Sequence, residues 1–328
     1  MKLVNLKDDR STALALLDKW DFKAPSYELM DQFRLSSTAI YPFKDGEEVL
    51  LLRYSPRDER TYDFVQAELD YIESLASSGV WVAELKLNRD GNKLLELEVN
   101  NKSYLASVFK RVKGQRLDRI PITNDMAYEI GRTLAGIHCI QVLDMEKGQL
   151  YDRPNHLNKL EWVEKMLIEF ADQTLKEDLL TAVKSISEEL ESLPQNPNTY
   201  GLVQYDFELD NLFYDEEFMR VSVIDFDDSH YHWYVMDIIN FIDNIQDELG
   251  DVMAKRVETE FLKGYRSSKA IPDMLIKNQA LFRRYSNLIS YVNALYAVSD
   301  LGTHPPQWML DLKLKLENNM QSRLNKIL

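Results

Sequence analysis

Residues 201–228 read GLVQYDFELDNLFYDEEFMRVSVIDFDD, and this stretch decides how the rest of the chain is understood. Two apolar runs, 212–214 and 219–224, are separated by Asp215, Glu216, Glu217 and Phe218, the pattern of two strands joined by a short polar turn. Asp206 and Asn211 sit on the loop entering that hairpin, and Asp225 is the residue leaving it. A tight hairpin places entry and exit side by side, so the three side chains converge despite their separation in sequence. Hard oxygen donors held this way suit Mg2+, which takes one or two protein carboxylates and completes its shell with phosphates and water. Asn211 and Asp225 are the expected metal ligands. Asp206 is left to face a hydroxyl nucleophile.

The same residues resemble the catalytic segment of the aminoglycoside phosphotransferase and choline kinase family, small-molecule relatives of protein kinases. That family's pattern is close to H-G-D-x-H-x-x-x-N, then a strand and I-D-F. Here Gln204, Tyr205, Asp206, Phe207, Glu208, Leu209, Asp210 and Asn211 lead on to Ile224, Asp225 and Phe226. The run from Trp233 to Asp237 is similar to the family's next element, a tryptophan and an aspartate opening a helix. The resemblance implies an α+β, two-lobed protein kinase-like fold. Residues 1–112 would form a small nucleotide-binding lobe with an antiparallel sheet and one helix, and residues 113–328 a larger, mainly helical lobe with the catalytic and acceptor sites. It also implies ATP as phosphoryl donor, Mg2+ beside it and a small-molecule hydroxyl as acceptor, with Asp206 taking up the hydroxyl proton.

Upstream, residues 9–20 predict a short amphipathic helix. Strand-like material runs from Tyr27 through Phe33 and Leu35, then over 39–43 and 49–54, the last two joined by the hairpin signal Asp45-Gly46. Alternation in the latter, VLLLRY, puts Val49, Leu51 and Arg53 on one face. A helix over 58–78, stopped by Gly79, draws its core face through Val65, Leu69, Ile72, Leu75 and Ala76, and Glu68 falls on that face. Burying an unpaired charge is costly, and Arg53 is the available partner. Pattern alone leaves two separately solvated charges open as well. The resemblance implies the pair, since kinases link a basic residue on the third strand to a glutamate on the following helix, the basic group holding nucleotide phosphates.

Strands over 83–87 and 94–99, turned by Arg89, Asp90, Gly91 and Asn92, and over 104–112 complete a meander of about five strands. The resemblance implies that Phe109, Lys110 and Arg111 form a hinge whose backbone groups meet adenine; the residues themselves fit a plain connector equally well. It further implies that Ser36, Ser37 and Thr38 make the turn covering the phosphates.

Beyond Gly114 the texture is helical. Residues 123–140 space Met126, Ile130, Leu134 and Ile137 along one face, capped by Thr123 or Asn124. His138 on this helix reads as a packing residue rather than a catalytic one. Further helices are expected over 157–173, 176–192, 233–246, 248–268, 272–300 and 306–327.

Composition bounds the partners. At 328 residues, 45% hydrophobic and 28% charged, the chain is an ordinary globular one with length for two lobes. A formal net charge of -15 argues against nucleic acid and favours a cationic ligand, or simply a solvated surface. The single cysteine, Cys139, cannot pair internally, the N-terminus is charged and no apolar run reaches membrane-spanning length, so a cytoplasmic, membrane-free protein is expected. Three departures from the family stand out: the phosphate-covering turn has no glycine, Arg53 replaces lysine, and Gln204 replaces the histidine that props the catalytic loop. Two functions therefore remain open. One is an ATP-dependent kinase acting on an amino sugar, amino alcohol or related metabolite; the other is a catalytically silent kinase-like binding or regulatory protein. For the acceptor, Glu208, Asp210, Asp227 and Asp228 could bind an amine, and Tyr231, Trp233 and Tyr234 could offer aromatic faces to a cation.

Overall fold

The computed structural model describes residues 2–3, 9–35, 38–140, 142–144 and 148–328, so the expected phosphate-covering residues Ser36 and Ser37 lie outside the described residues. The first helix, α1 (Arg10–Leu17), starts where the Asp9 carboxylate accepts the Thr12 N–H at 3.0 Å. The sheet that follows is built from β1 (Ala39–Asp45), β2 (Glu48–Pro56), β3 (Leu85–Lys86), β4 (Leu95–Val99) and β5 (Lys102–Lys110), all antiparallel. Its centre runs β1-β2-β5, and β3 and β4 pair with different parts of β5. Along β2 the side chains alternate. Leu50 and Leu52 join Ala13, Leu16, Trp20, Tyr41, Phe43 and Val108 in a core beneath α1, while Leu51 and Arg53 face the other side.

That other side is covered by α2 (Tyr62–Ser77), inserted between β2 and β3. Thr61 caps it, its hydroxyl accepting the Phe64 N–H at 3.2 Å, so the helix starts later than Asp58. Its buried face holds the expected Val65, Glu68, Leu69, Ile72 and Leu75, whereas Ala76, also expected there, is exposed in the last turn. The face continues into the core of the helical lobe, with Tyr71 edge-on to Tyr151 and Phe226 at ring distances of 5.3 and 5.9 Å. Of the strand expected from Tyr27 through Phe33 to Leu35, Glu28–Gln32 is instead a 3-10 helix and Arg34–Leu35 alone is a strand, paired with Ile40 and Ala39. Tyr27, Met30 and Phe33 recur every third residue, the repeat of that helix and not of a strand.

The larger lobe carries α3 (Asn124–His138), α4 (His156–Phe170), α5 (Gln173–Glu191), β6 (Tyr200–Val203), β7 (Leu212–Asp215), β8 (Arg220–Val223), β9 (His230–Trp233), α6 (Val235–Leu249), α7 (Asp251–Arg266), α8 (Asp273–Lys277), α9 (Gln279–Val298) and α10 (Gln307–Ile327). The β7–β8 hairpin is the one expected. The antiparallel β6–β9 pair is not, and Trp233 ends a strand rather than opening the helix, which starts at Val235. All eight residues of β6 and β9 are buried, so neither strand shows the polar alternation that would have revealed it. The long helix expected over 272–300 is broken at Asn278 into α8 and α9. Among the described residues, no helix is long and apolar enough to cross a membrane.

Helices α3 and α7 cross at glycine. A Cβ on Gly131 would lie 1.9 Å from the Phe261 carbonyl oxygen, and one on Gly264 1.9 Å from that of Tyr128. Backbone cannot yield here as a side-chain tip would, so Gly131→Ala is expected to destabilise the protein by about 3 kcal/mol. Urea unfolding reads this directly, and an unchanged midpoint would mean the two helices separate freely.

Candidate active site

The loop between β6 and β7 and the turn after β8 both hold a non-glycine residue in the left-handed region: Tyr205 at φ 72° and Asp225 at φ 63°. Such strain persists only where surroundings impose it. For Tyr205 the restraint is Asp237, in the first turn of α6. Its Oδ1 accepts the Tyr205 N–H at 2.7 Å and its Oδ2 the Gln204 N–H at 2.8 Å. His138, fully buried on α3, meets the same Oδ2 at 2.9 Å through Nε2, and its Nδ1 lies 2.9 Å from the Tyr265 hydroxyl. A carboxylate only accepts, so the His138 proton sits on Nε2 and the tyrosine donates to Nδ1. Burial lowers the pKa of this histidine while Asp237 pulls the other way. His138 thus supports the loop, through Asp237, instead of reacting.

For Asp225 the restraint is Gln204. Its Nε2 donates to the carbonyls of Ile224 at 3.2 Å and Asp225 at 2.6 Å, so this glutamine ties the two loops together as a prop should.

The three residues read from the sequence do come together. Asn211 Nδ2 donates to Asp206 Oδ2 at 2.8 Å and to the Asp206 carbonyl at 3.0 Å, and the Ile224 N–H donates to the Asn211 carbonyl at 3.1 Å. With Nδ2 engaged, Oδ1 is the side-chain acceptor that the asparagine has left. Burial, aided by the charges of Glu208 and Asp228, pushes the Asp206 carboxyl up to about 7. Burial and then Asp227 push Asp225 well above the usual carboxylate range, with Arg53 pulling the opposite way. Crowded, desolvated carboxylates of this kind are the electrostatic complement of a divalent cation.

Across the cleft, Arg53 Nη1 and Glu68 Oε1 pair at 2.6 Å with side chains only 10% and 0% exposed, the pairing expected from their shared faces. Arg53 Nη2 and Glu68 Oε2 are buried without a hydrogen-bond partner. A buried guanidinium N–H left unmade is costly, and an anionic oxygen would satisfy it. Arg53 also lies 5.0 Å from the centre of the Phe109 ring. Both line an apolar cavity of about 80 Å3 with Ile40, Leu51, Val223 and Asp225. The Lys110 and Arg111 N–H groups bond within the small lobe, to Glu84 at 2.8 Å and Val49 at 3.0 Å, and the Arg111 side chain is exposed. These two amides are therefore engaged within the lobe, and Phe109 reaches the cavity through its ring. Thr38 is buried and lines a small second cavity with Arg53 and Arg60.

Asp206 also borders a larger, polar cleft of about 730 Å3 between the catalytic loop and helices α6, α9 and α10, whose walls include Glu208, Asn240, Asp243, Arg283 and Arg323. Of the acceptor-binding groups read from the sequence, Glu208 is at this cleft. Tyr231, Trp233 and Tyr234 are not available to a ligand cation: β9 and the turn after it bury all three in the core. Asp227 and Asp228 are paired with Arg60 at 2.6 Å and Lys159 at 3.3 Å.

Comparison with known proteins gives this geometry its family. The model of the family described as "Phosphotransferase enzyme family" matches residues 36–271. The chain belongs to that family. The phosphotransferase is 22% identical over 303 residues to the amicoumacin kinase of Bacillus subtilis (strain 168), covering 88% of each chain. Among solved structures it is similar to the amicoumacin kinase hAmiN, solved in complex with AMP-PNP, Ca2+ and Ami, with a TM-score of 0.75, 18% identity and coverage of 97% of this chain and 94% of that one. A microcompartment-associated aminopropanol kinase gives a TM-score of 0.70 at 22% identity, with 95% of each chain covered. These structural likenesses establish the protein kinase-like fold.

Two arginines that sequence reasoning passed over hold the phosphotransferase's lobes in register. Arg60, just before α2, pairs with Asp227 after the hairpin. Arg153, buried, donates to the carbonyls of Ser229 at 2.9 Å, Phe64 at 3.1 Å and Asp227, and stacks on the Phe64 ring at 3.8 Å. Its partners are mostly backbone oxygens, and burial pushes its pKa down to about 10. A loop arginine has no periodicity, so nothing local in the sequence marked it.

Proposed function

We propose that the protein is an ATP- and Mg2+-dependent kinase that moves the γ-phosphoryl group to a hydroxyl of a small molecule, such as an amino alcohol, amino sugar or related metabolite. The observation that carries this reading is the Asp206–Asn211 hydrogen bond beside Asp225, opposite the buried Arg53–Glu68 pair. Asn211 Oδ1 and the Asp225 carboxylate would hold Mg2+, which would neutralise phosphate charge. Arg53 binds the phosphates through its unpartnered Nη2, and Glu68 fixes its orientation. Thr38, beside Arg53, covers the phosphates, and Phe109 packs against adenine with Arg111 at the edge of the hinge. Asn211 occupies Asp206 Oδ2, which leaves Oδ1 to accept the acceptor's hydroxyl proton. The hydroxyl oxygen then bonds to the γ-phosphorus as the bond to the β-phosphate oxygen breaks and ADP leaves. A carboxyl pushed up to about 7 is well matched to that proton transfer near neutral pH. In this reading residues 1–112 form the nucleotide lobe and 113–328 the catalytic and acceptor lobe.

Thermal unfolding with and without MgATP tests this cheaply. A ligand at a hundred times its Kd stabilises by about 2.7 kcal/mol, so a saturable rise of several degrees is expected. No rise at millimolar MgATP would refute the kinase reading.

A further inference from the structure

Resting on the kinase reading above, we infer that the acceptor carries an anionic group bound by Arg323, in addition to an ammonium group beside Glu208 and the hydroxyl that faces Asp206. The large cleft contains arginines in two different electrostatic states. Arg283 is neutralised by Asp243, which receives Nε at 2.9 Å and Nη2 at 2.7 Å. Arg323, half-buried on α10, is not. Its Nε donates to Asn319 Oδ1 at 2.6 Å and its Nη1 to Asn287 Oδ1 at 3.0 Å, and it has no ion pair among the described residues. Two neutral amide oxygens fix the guanidinium plane without cancelling its charge. A preset fork with no ion pair among the described residues, balanced only through space by Glu208, is a receptor for a carboxylate or a phosphate ester, which it meets through two parallel hydrogen bonds.

Glu208 is the complementary case. Half-buried and two residues from Asp206, it is held by Asn244 Nδ2 at 3.3 Å and has no ion pair among the described residues. Negative charge on the loop wall and positive charge on the α10 wall select a ligand with the opposite polarity, ammonium toward the loop and anion toward α10. The far wall belongs to α9 and α10, beyond the 36–271 span that the family model matches.

The test is an ATP-consumption screen of matched acceptors with wild type and Arg323→Gln. The panel pairs L-homoserine with its carboxamide, seryl and threonyl dipeptides with their C-terminal amides, and glucosamine with glucosamine 6-phosphate. The best acceptors are expected to carry both ammonium and anion, and the pair that responds shows whether the anion is carboxylate or phosphate. R323Q should lower the anion-over-neutral ratio of kcat/KM by about 10- to 100-fold, the effect of losing a charged hydrogen-bonded pair. Preserved MgATP stabilisation shows that the variant is folded. Best acceptors without an anionic group, an unchanged ratio in R323Q, or no turnover of any member by a wild type that binds MgATP would each overturn the inference. Failure to bind MgATP at all would instead remove the kinase reading beneath it.

Discussion

Asp206→Asn is expected to lower kcat by about a thousandfold, within the range a general base supplies, while MgATP still raises the melting temperature as in wild type. The substitution keeps shape and removes only the proton acceptor. Asn211 Nδ2 can still donate to an amide oxygen at position 206, so the bond now measured at 2.8 Å survives in kind. Nor does the fold depend on the charge, since burial already raises the Asp206 carboxyl to about 7. Loss of nucleotide binding together with turnover would show that the residue holds the loop rather than the proton, and undiminished turnover would show that some other group is the base.

Asp225→Asn is expected to remove the MgATP-dependent rise in melting temperature and, with it, phosphoryl transfer, by a factor of about a thousand or more. Asparagine tolerates the left-handed conformation that Asp225 adopts at φ 63°, so the turn and its hydrogen bond from Gln204 stay in place. The metal-free variant should melt no lower than metal-free wild type, because the substitution removes a carboxylate crowded by Asp227 and Asp206 in a buried site. The two arms together are diagnostic. A variant that melts lower without metal, yet keeps its response to MgATP, would mean that Asp225 is structural.

The centre of the site was legible in the sequence because its logic is local. Asp206, Asn211 and Asp225 lie on one hairpin, and β7 pairs with β8 from Leu212 opposite Val223 to Asp215 opposite Arg220, which brings the hairpin's ends together. Arg53 and Glu68 were marked by breaking the hydrophobic faces of two amphipathic elements, which left two solvated charges open, and the family resemblance is what implied their pairing. What escaped notice depends on distant parts of the chain. Tyr200 pairs with Trp233 across the whole of 201–232, which contains the entire β7–β8 hairpin, and an all-buried strand has no alternation to betray it. The glycines at α3 and α7 say that something comes close, not what. The same limit hid the acceptor wall. Asn319 and Arg323 lie on an amphipathic C-terminal helix whose polar residues read as solvated until α9 is placed beside them. Trp233 and Tyr231 failed in the opposite sense, since large aromatics near a site are more often structural than receptive.

The attachment of α2 to the larger lobe sets what this molecule can do as a machine. Its buried face is continuous with the helical core, Tyr151 donates to Ser74 at 2.7 Å, and Arg153 grips the Phe64 carbonyl near its start. Contacts at both ends of the helix hold the glutamate beside its arginine. Glu68 is already paired with Arg53 in this structure, the arrangement that kinases of signalling pathways assemble when they are switched on.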